Sequence, residues 1–275
     1  MRERIPGLPF SVIRFAEVDS TSRFLKEWGR ESAEDGVVAV AECQTAGRGR
    51  QGRRWESPAG EGLYFSILAA PVATATAAFL PLLAGVVAYD SVAQCFPALQ
   101  RHIDLKWPND LLLRGRKLAG ILVELERSQT GVPFAVLGVG INCNQKAFPP
   151  ELPDATSLRL ETGVEADRDL LLRVFLDRWN RGYARCASAL PRGEISVPDS
   201  PGAPKQRRTA PVFLIADWKA RSGFWSAKAV RFPLRGEIAQ GLTRDVALSG
   251  ALVVELASGE TVELFSSDLD WIREQ

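Results

Sequence analysis

The sequence lacks several features that support chemistry or targeting in other proteins. Only one of its 275 residues is a histidine, His102, and its four cysteines form no C-x-x-C pair. This scarcity argues against a zinc site and a disulfide framework, and suits a reducing cytoplasm. The N-terminal stretch MRERIPGLPFSVIRF also lacks the apolar run of a signal peptide. The sequence therefore predicts a cytoplasmic protein.

A strong charge of one sign is missing as well. The chain has 34 Lys and Arg against 33 Asp and Glu, for a formal net charge of +1. No global field attracts nucleic acid or a membrane surface, so any positive site must be local. Residues 62–89 contain no charged residue, but Pro71 and Pro81 interrupt the run. We predict a buried strand followed by a buried helix near Ala77 to Cys95, with no membrane span.

Hydrophobic residues make up 46% of the chain, which is enough for one large domain or a large and a small one. Ser20 predicts the N-cap of a helix over TSRFLKEW, and VVAVAEC (37–43) predicts a strand. Residues 167–186 have helical spacing, whereas 191–211 are rich in proline and basic residues, typical of an inserted loop. Beyond Trp225, short strands at close spacing predict a small β-barrel or sheet appended to an α+β domain.

The stretch QTAGRGRQGRRW (44–55) places three glycines and four arginines within residues 47–54. Glycines let the backbone approach a ligand, and arginines bind phosphate or carboxylate oxygens. The spacing matches neither the Walker A loop nor G-x-G-x-x-G. A glycine-arginine RNA-binding segment is the alternative, but such segments are usually repeated and unstructured. This segment is single and follows a strand, which favours an ordered site for a small anion.

A second stretch, LKWPNDLLLRGRKLAGILVE (105–124), combines lysines, an amide and a carboxylate. Asn109 and Asp110 could hold a hydrated Mg²⁺ on a nucleotide. Lys117 opens the next predicted strand, where its charge could face the same site. Taken singly, these charged residues are also consistent with a solvated hairpin.

Together the two stretches resemble the biotin–protein ligases, also called biotin holoenzyme synthetases. The resemblance runs from about Phe15 to Asn144 and has two further anchors. EVDSTSRFL is similar to the start of the family's S-T-N helix, with Ser22 in place of the usual asparagine, and GVGINCN (138–144) is similar to a strand that closes the ligand site. Residue 1 lies close to the first anchor, so no room is expected for a DNA-binding winged helix. In this respect the chain resembles the ligase-only class.

The resemblance implies an α+β fold. A class II synthetase-like catalytic domain, a mixed sheet flanked by helices, is expected over residues 1–224, and an SH3-like β-barrel over 225–275. It also implies a ligase that uses biotin, ATP and Mg²⁺ to make biotinyl-5′-adenylate, and then transfers biotin to a lysine of a biotin carboxyl carrier protein. The expected partners include neither DNA nor a membrane. Dimers are common in the family, so a homodimer is possible.

The family motif also implies roles for individual residues. Ser20, Thr21 and Gln44 are expected at biotin's ureido ring, although Ser20 could serve only as an N-cap. Lys117 is the best candidate for the catalytic residue, at the reacting carboxylate and α-phosphate, together with Arg48 and Arg50. The other implied ligand contacts are Gly47, Gly49, Trp55, Lys106, Asn109, Gly120, Gly138, Gly140 and Asn142, with Asp110 and Asn142 as metal ligands.

Some alternatives stay open. Trp55 is expected beside adenine, but it could be a core aromatic. His102 is expected to be structural or at the surface. The lipoate–protein ligases share the implied fold and an adenylate intermediate, and a non-catalytic ligand-sensing or RNA-binding module is a rival of another class. The glycine-arginine loop and K-W-P-N-D favour biotin chemistry, and the retained charges of Arg48, Arg50, Lys106, Asp110 and Lys117 favour catalysis.

Overall fold

The computed structural model describes residues 2–72, 79–189, 211–265 and 269–272. The proline-rich insertion predicted at 191–211 lies outside these ranges, apart from Pro211, which directly precedes a helix. The first residues of the helix predicted near Ala77 to Cys95 also lie outside them; its described part is Leu80–Cys95.

The larger of two sheets has eight strands in the order β1-β2-β3-β4-β8-β7-β6-β5. β2 and β3 are parallel, and the other neighbouring strands are antiparallel. This is the mixed sheet that the sequence predicted. The strands are β1 (Arg2–Arg4), β2 (Ser11–Val18), β3 (Val37–Gln44), β4 (Gly62–Ala69), β5 (Ile103–Lys106), β6 (Asp110–Leu113), β7 (Arg116–Arg127) and β8 (Pro133–Asn142).

Helices cover both faces of this sheet. The helices are α1 (Thr21–Ser32), α2 (Leu80–Cys95), α3 (Leu158–Thr162), α4 (Arg168–Ser188) and α5 (Val212–Lys219). α2, α4 and α5 share the main core with one face, where Phe65 of β4 packs edge-on against Phe175 of α4 with ring centroids 5.0 Å apart. α1 lies on the opposite face, where Leu25 joins a second cluster with Leu68 and Phe134.

The smaller sheet is antiparallel, in the order β12-β11-β10-β9-β13, and is consistent with an SH3-like unit. Its strands are β9 (Ala229–Leu234), β10 (Glu237–Val246), β11 (Leu252–Leu256), β12 (Thr261–Leu264) and β13 (Asp270–Trp271). Its buried side chains join the main core, and the Trp107 indole N–H donates to the Gly250 carbonyl at 3.1 Å. The α+β class is therefore confirmed, while a domain boundary near residue 225 stays a prediction.

Capping residues set the starts of two predicted helices. The Ser20 hydroxyl accepts from the Arg23 amide at 3.4 Å and the Asp167 carboxylate from the Leu170 amide at 2.9 Å, each satisfying an orphan donor of the first turn. The sequence did not predict β1, β2, β13, α3 or α5. Among the described residues, no helix combines the length and apolar character needed to cross a membrane.

Candidate active site

Three glycines form a floor without side chains on the α1 face of the large sheet. β4, β8 and β7 place Ser66 beside Gly138, and they place Gly140 beside Gly120. A Cβ atom on Gly138 would lie 2.6 Å from Ser22 Oγ, and one on Gly140 would collide with the Trp55 indole. Any larger residue at these two positions would therefore displace a side chain that faces the floor.

A cavity of about 380 Å³ lies above this floor. Its walls come from the N-terminus of α1, the glycine-arginine loop, the β5–β6 turn and the start of β7. Most of the residues singled out in the sequence line it: Ser20, Thr21, Gln44, Arg48, Gly49, Arg50, Trp55, Lys106, Asn109, Asp110, Lys117, Gly120, Gly138, Gly140 and Asn142. Gly47, at the start of the loop, does not line the cavity; a Cβ atom there would collide with the Trp55 carbonyl, so glycine lets the loop fold closely.

The closed end of the cavity is polar although it is buried. Thr21 and Ser22 open α1, Gln44 ends β3, and Ser66 points up from β4. The Gln44 side-chain oxygen accepts from the Thr21 amide at 3.0 Å, and the Ser66 hydroxyl lies 2.8 Å from the Thr21 hydroxyl. Buried polar groups of this kind suit a ligand that presents polar atoms of its own.

The glycine-arginine loop folds back on itself as a small hairpin. Gly49 N donates to Arg53 O at 2.8 Å and Trp55 N to Gly47 O at 3.0 Å. The turn uses left-handed backbone at Gln51 and Gly52, with φ of 56° and 72°. Glycine adopts this conformation without steric cost, which explains its presence at the tip.

Arginines of this hairpin are tied to the sheet below. The Arg48 guanidinium lies 3.6 Å from the Glu124 carboxylate, which also binds Lys26 at 2.8 Å. The Arg50 guanidinium donates to the Asn109 side-chain oxygen at 3.4 Å. Both arginines thus stand at the cavity, Arg48 exposed and Arg50 partly buried, with contacts that an anionic ligand can replace.

Lys117 is held at the cavity wall by its backbone. Its amide donates to the Asp154 carbonyl at 2.6 Å, and its carbonyl accepts from the Thr156 amide at 2.9 Å. Its ammonium group lies 2.8 Å from Asp110 Oδ1 and 5.6 Å from the centre of the Trp55 ring. Among the described lining residues, six are cationic and two are carboxylates, so the cavity suits anions.

Trp55 lies over Gly120 and Gly140 and lines the cavity, so it is not a core aromatic. Its indole N–H is buried without a hydrogen-bond partner among the described residues. A buried donor without an acceptor costs free energy, and a ligand acceptor would remove that cost. Ser20, in contrast, both caps α1 and lines the cavity.

The residues proposed as metal ligands do not form a magnesium centre by themselves. The Asp110 carboxylate is paired with Lys117, and the Asn142 side-chain oxygen faces the Gln145 amide nitrogen at 3.4 Å. The Asn142 amide nitrogen donates to the Thr156 carbonyl at 3.0 Å. No group of three His, Cys, Asp or Glu side chains suited to a metal occurs in the described ranges. Since Mg²⁺ prefers several oxygen ligands, these two residues do not fit a protein-held ion.

Covalent catalysis by cysteine does not fit this site, because no cysteine lines the described cavity. Cys143, next to the lining residue Asn142, is fully buried, and burial raises the pKa of its thiol to about 12. His102 does not line the cavity and accepts from Arg101 at 3.1 Å, which agrees with the expectation of a structural or surface role.

Sequence reasoning missed several residues at the cavity. Ser66 does not line it but bonds the lining residues Thr21 and Ser22 from below. It is one serine in an apolar strand, and its position becomes evident only from strand pairing. Arg53 and Arg54 belong to the quoted loop, so the loop's charge was the signal for them. The aromatic and apolar residues of the wall carry no motif: Phe148, Leu152, Leu269 and Trp271.

Comparison with known proteins agrees with this geometry. Residues 14–142 match the Biotin/lipoate A/B protein ligase family. The biotin--[acetyl-CoA-carboxylase] ligase of Mycobacterium tuberculosis is 38% identical over 263 residues, covering 94% of this chain and 88% of that protein. The bifunctional ligase/repressor BirA of Bacillus subtilis is 38% identical over 170 residues, and the chain spans about half of its length, 51%.

A solved structure extends the likeness to the whole fold. The biotin protein ligase from Aquifex aeolicus, in complex with biotin and ATP, superposes with a TM-score of 0.73 at 28% identity. The match covers 96% of this chain and 99% of that one. The fold and the site thus define a class II synthetase-like ligase. The chain belongs to the biotin protein ligase family.

Proposed function

We propose that the protein joins biotin to a lysine of a biotin carboxyl carrier domain at the expense of ATP. The observation that supports this most is the cavity itself, which is polar at its closed end, walled by glycines in the middle and cationic at its mouth. Biotin has the same order of groups: a urea ring, an apolar body and tail, and a carboxylate.

In the first step, a carboxylate oxygen of biotin attacks the α-phosphorus of ATP and pyrophosphate leaves, giving biotinyl-5′-adenylate. Both reactants are anions, so the site must offset their repulsion and stabilise the charge that develops. Lys117, Arg48 and Arg50 are the side chains proposed for this role. Asn109 positions Arg50 through its side-chain oxygen and is itself anchored by a hydrogen bond to the Ile121 carbonyl.

In the second step, the lysine amine of the acceptor attacks the acyl carbon, AMP leaves and the nitrogen loses a proton. No side chain of the described cavity is needed as a covalent nucleophile, because the mixed anhydride is already activated. Holding the two reacting groups together in the correct orientation then lowers the remaining barrier.

The nucleotide is proposed to lie beside the Trp55 indole, which lines the cavity. Lys106 stands at the same mouth, 5.8 Å from the centre of the Trp271 ring. Mg²⁺ is proposed to enter with the triphosphate, since the two candidate ligands of the chain do not hold it alone. A cytoplasmic location and association into dimers remain expectations of the family.

Lipoate is the nearest alternative substrate. Its dithiolane ring offers neither a hydrogen-bond donor nor a strong acceptor, so the polar groups of the closed end, which already bond one another, would gain no hydrogen bond from it. The three hydroxyls and the amide there favour a urea ring over a dithiolane.

The test is to incubate the purified chain with ATP and Mg²⁺ and either biotin or lipoate. We expect pyrophosphate release and a retained biotinyl-adenylate, detected by mass spectrometry, with biotin only. The proposal would be overturned if adenylate formed with lipoate but not with biotin, or if no adenylate formed with either acid.

A further inference from the structure

The polar side chains at the closed end form one continuous chain of hydrogen bonds. Gln44 Oε1 lies 3.2 Å from Thr21 Oγ1, which lies 2.8 Å from Ser66 Oγ, which lies 2.9 Å from Ser22 Oγ. The three hydroxyl residues are at most 7% exposed. These hydroxyls are therefore largely buried, so hydrogen bonds within this network and to a ligand satisfy most of their bonding capacity.

At the Gln44 end of this hydrogen-bond network, the donor and acceptor roles are fixed. The Thr21 backbone N–H can only donate, so the Gln44 atom that faces it at 3.0 Å must be the oxygen. On the other side, Gln44 Nε2 donates to Ser57 Oγ at 3.0 Å, and Ser57 Oγ donates to the Trp55 carbonyl at 3.2 Å. Reversing the Gln44 amide would set two donors against each other, so its orientation is determined.

This polarity passes along the hydroxyls. Because Gln44 Oε1 only accepts, Thr21 Oγ1 gives its single proton to Gln44 and must accept from Ser66. Ser66 has then used its own proton and must accept from Ser22. Ser22 donates its proton to Ser66, so only its lone pairs remain for a ligand.

We infer that Ser66 is a positioning residue that fixes Ser22 as an acceptor, so that the closed end selects a cyclic urea by its N–H group. Gly138 keeps this arrangement possible, because a Cβ atom there would lie 2.6 Å from Ser22 Oγ and displace it. The inference rests on the proposed function and adds how the site recognises the ring of biotin.

The experiment measures the dissociation constants of biotin and of two isosteres by calorimetry, using the full chain without ATP. Each isostere is a cyclic carbamate, in which one urea N–H is replaced by a ring oxygen. We expect at least one carbamate to bind the wild-type chain roughly 10- to 100-fold more weakly than biotin, because its oxygen faces the lone pairs of Ser22.

Ser66→Ala should reduce this discrimination at least about fivefold, because the Ser22 proton is then free to turn toward the carbamate oxygen. The matched control is Ser91→Ala. Ser91 is also fully buried, but it lies in α2 and donates to the Val87 carbonyl at 2.7 Å, away from the cavity. Ser91→Ala should keep the wild-type ratio of the carbamate and biotin dissociation constants. If Ser66→Ala does not fold, Ser66→Cys, which keeps a weak donor of similar size, tests the same role and should weaken the discrimination, while Ser22→Ala tests the acceptor itself and should abolish it.

A loss of affinity equal for biotin and both carbamates in Ser66→Ala would show a merely structural hydroxyl and overturn the inference. Equal binding of all three ligands by the wild-type chain would also overturn it. In both cases the wild-type chain still binds biotin, so the proposed function stands. A wild-type chain that binds no biotin would instead contradict the proposed function and, with it, this inference.

Discussion

The ammonium group of Lys117 lies beside the Asp110 carboxylate and the face of the Trp55 ring, at the wall of the open cavity. The carboxylate contact at 2.8 Å holds the side chain over the site before substrate arrives. When the carboxylate of one substrate meets the phosphate of the other, an ammonium placed in this way stabilises the charge that develops. Lys117 is thus proposed to act in the transition state more than in ground-state binding.

We expect Lys117→Ala to slow adenylate formation by roughly a hundredfold or more, the usual loss for one charge-assisted contact in a transition state. The dissociation constant of biotin should change little, because the urea ring binds at the other end of the cavity. Single-turnover kinetics and calorimetry measure the two quantities.

The matched control is Lys219→Ala, which removes a lysine that pairs with Asp245 and does not line the cavity. Wild-type turnover in Lys117→Ala would show that the lysine is an ordinary surface group and that the reacting atoms lie elsewhere.

Two mid-helix glycines show how packing determines the effect of the same substitution. In α2, a Cβ atom on Gly85 would meet Leu105 at 3.4 Å, an ordinary contact. In α1, a Cβ atom on Gly29 would lie 2.5 Å from the Phe134 ring and 2.8 Å from Leu68. α1 can therefore lie close to the sheet only because Gly29 has no side chain.

We expect Gly85→Ala to stabilise the protein by about 0.5–1 kcal/mol, because alanine favours a helix more than glycine does. Gly29→Ala should destabilise it by about 1–3 kcal/mol through overpacking. Denaturant titration gives both free energies of unfolding. Equal effects at the two sites would contradict the different packing of the two helices.

The glycine-arginine loop is the element whose conformation we expect to change most when ligand binds. Its hairpin hydrogen bonds are internal, and its arginines repel one another. We expect trypsin to cut within residues 47–54 in the free protein, and biotin with ATP to protect the loop, because carboxylate and phosphate oxygens then bind the arginines.

Arg235 supplies an internal control for this digestion, because it is exposed at the turn between β9 and β10, far along the chain. Its cleavage should be the same with and without ligand. Equal cutting of the loop in both states would mean that it does not close over the substrates.

Local patterns predicted much of the fold and the site, and long-range pairing determined the rest. The glycine-arginine loop and Lys117 could be recognised because their signals lie within a few neighbouring residues. Ser66 could not, because it matters only once β4 pairs with β8 and α1 lies above them. Trp271 reaches the cavity from the second sheet, and nothing in its local sequence indicates that contact.

Over the whole molecule, the two sheets share a core and a wall of the cavity. Trp107 is 2% exposed and bonds the Gly250 carbonyl, while buried Phe232 joins the main core cluster. We therefore expect one cooperative unfolding transition by calorimetry, with equal calorimetric and van't Hoff enthalpies. Two separate transitions would show that residues 225–275 unfold as an independent domain.

The most direct test of biotin ligation is a transfer measurement with the complete protein. The chain is mixed with biotin, ATP, Mg²⁺ and a biotin carboxyl carrier domain, and the acceptor is analysed by intact-mass spectrometry and peptide mapping. The account predicts one biotinyl group on one acceptor lysine, dependent on ATP, and none on a carrier whose target lysine is replaced by arginine. An acceptor that stays unmodified with biotin, or that gains a lipoyl group instead, would contradict it.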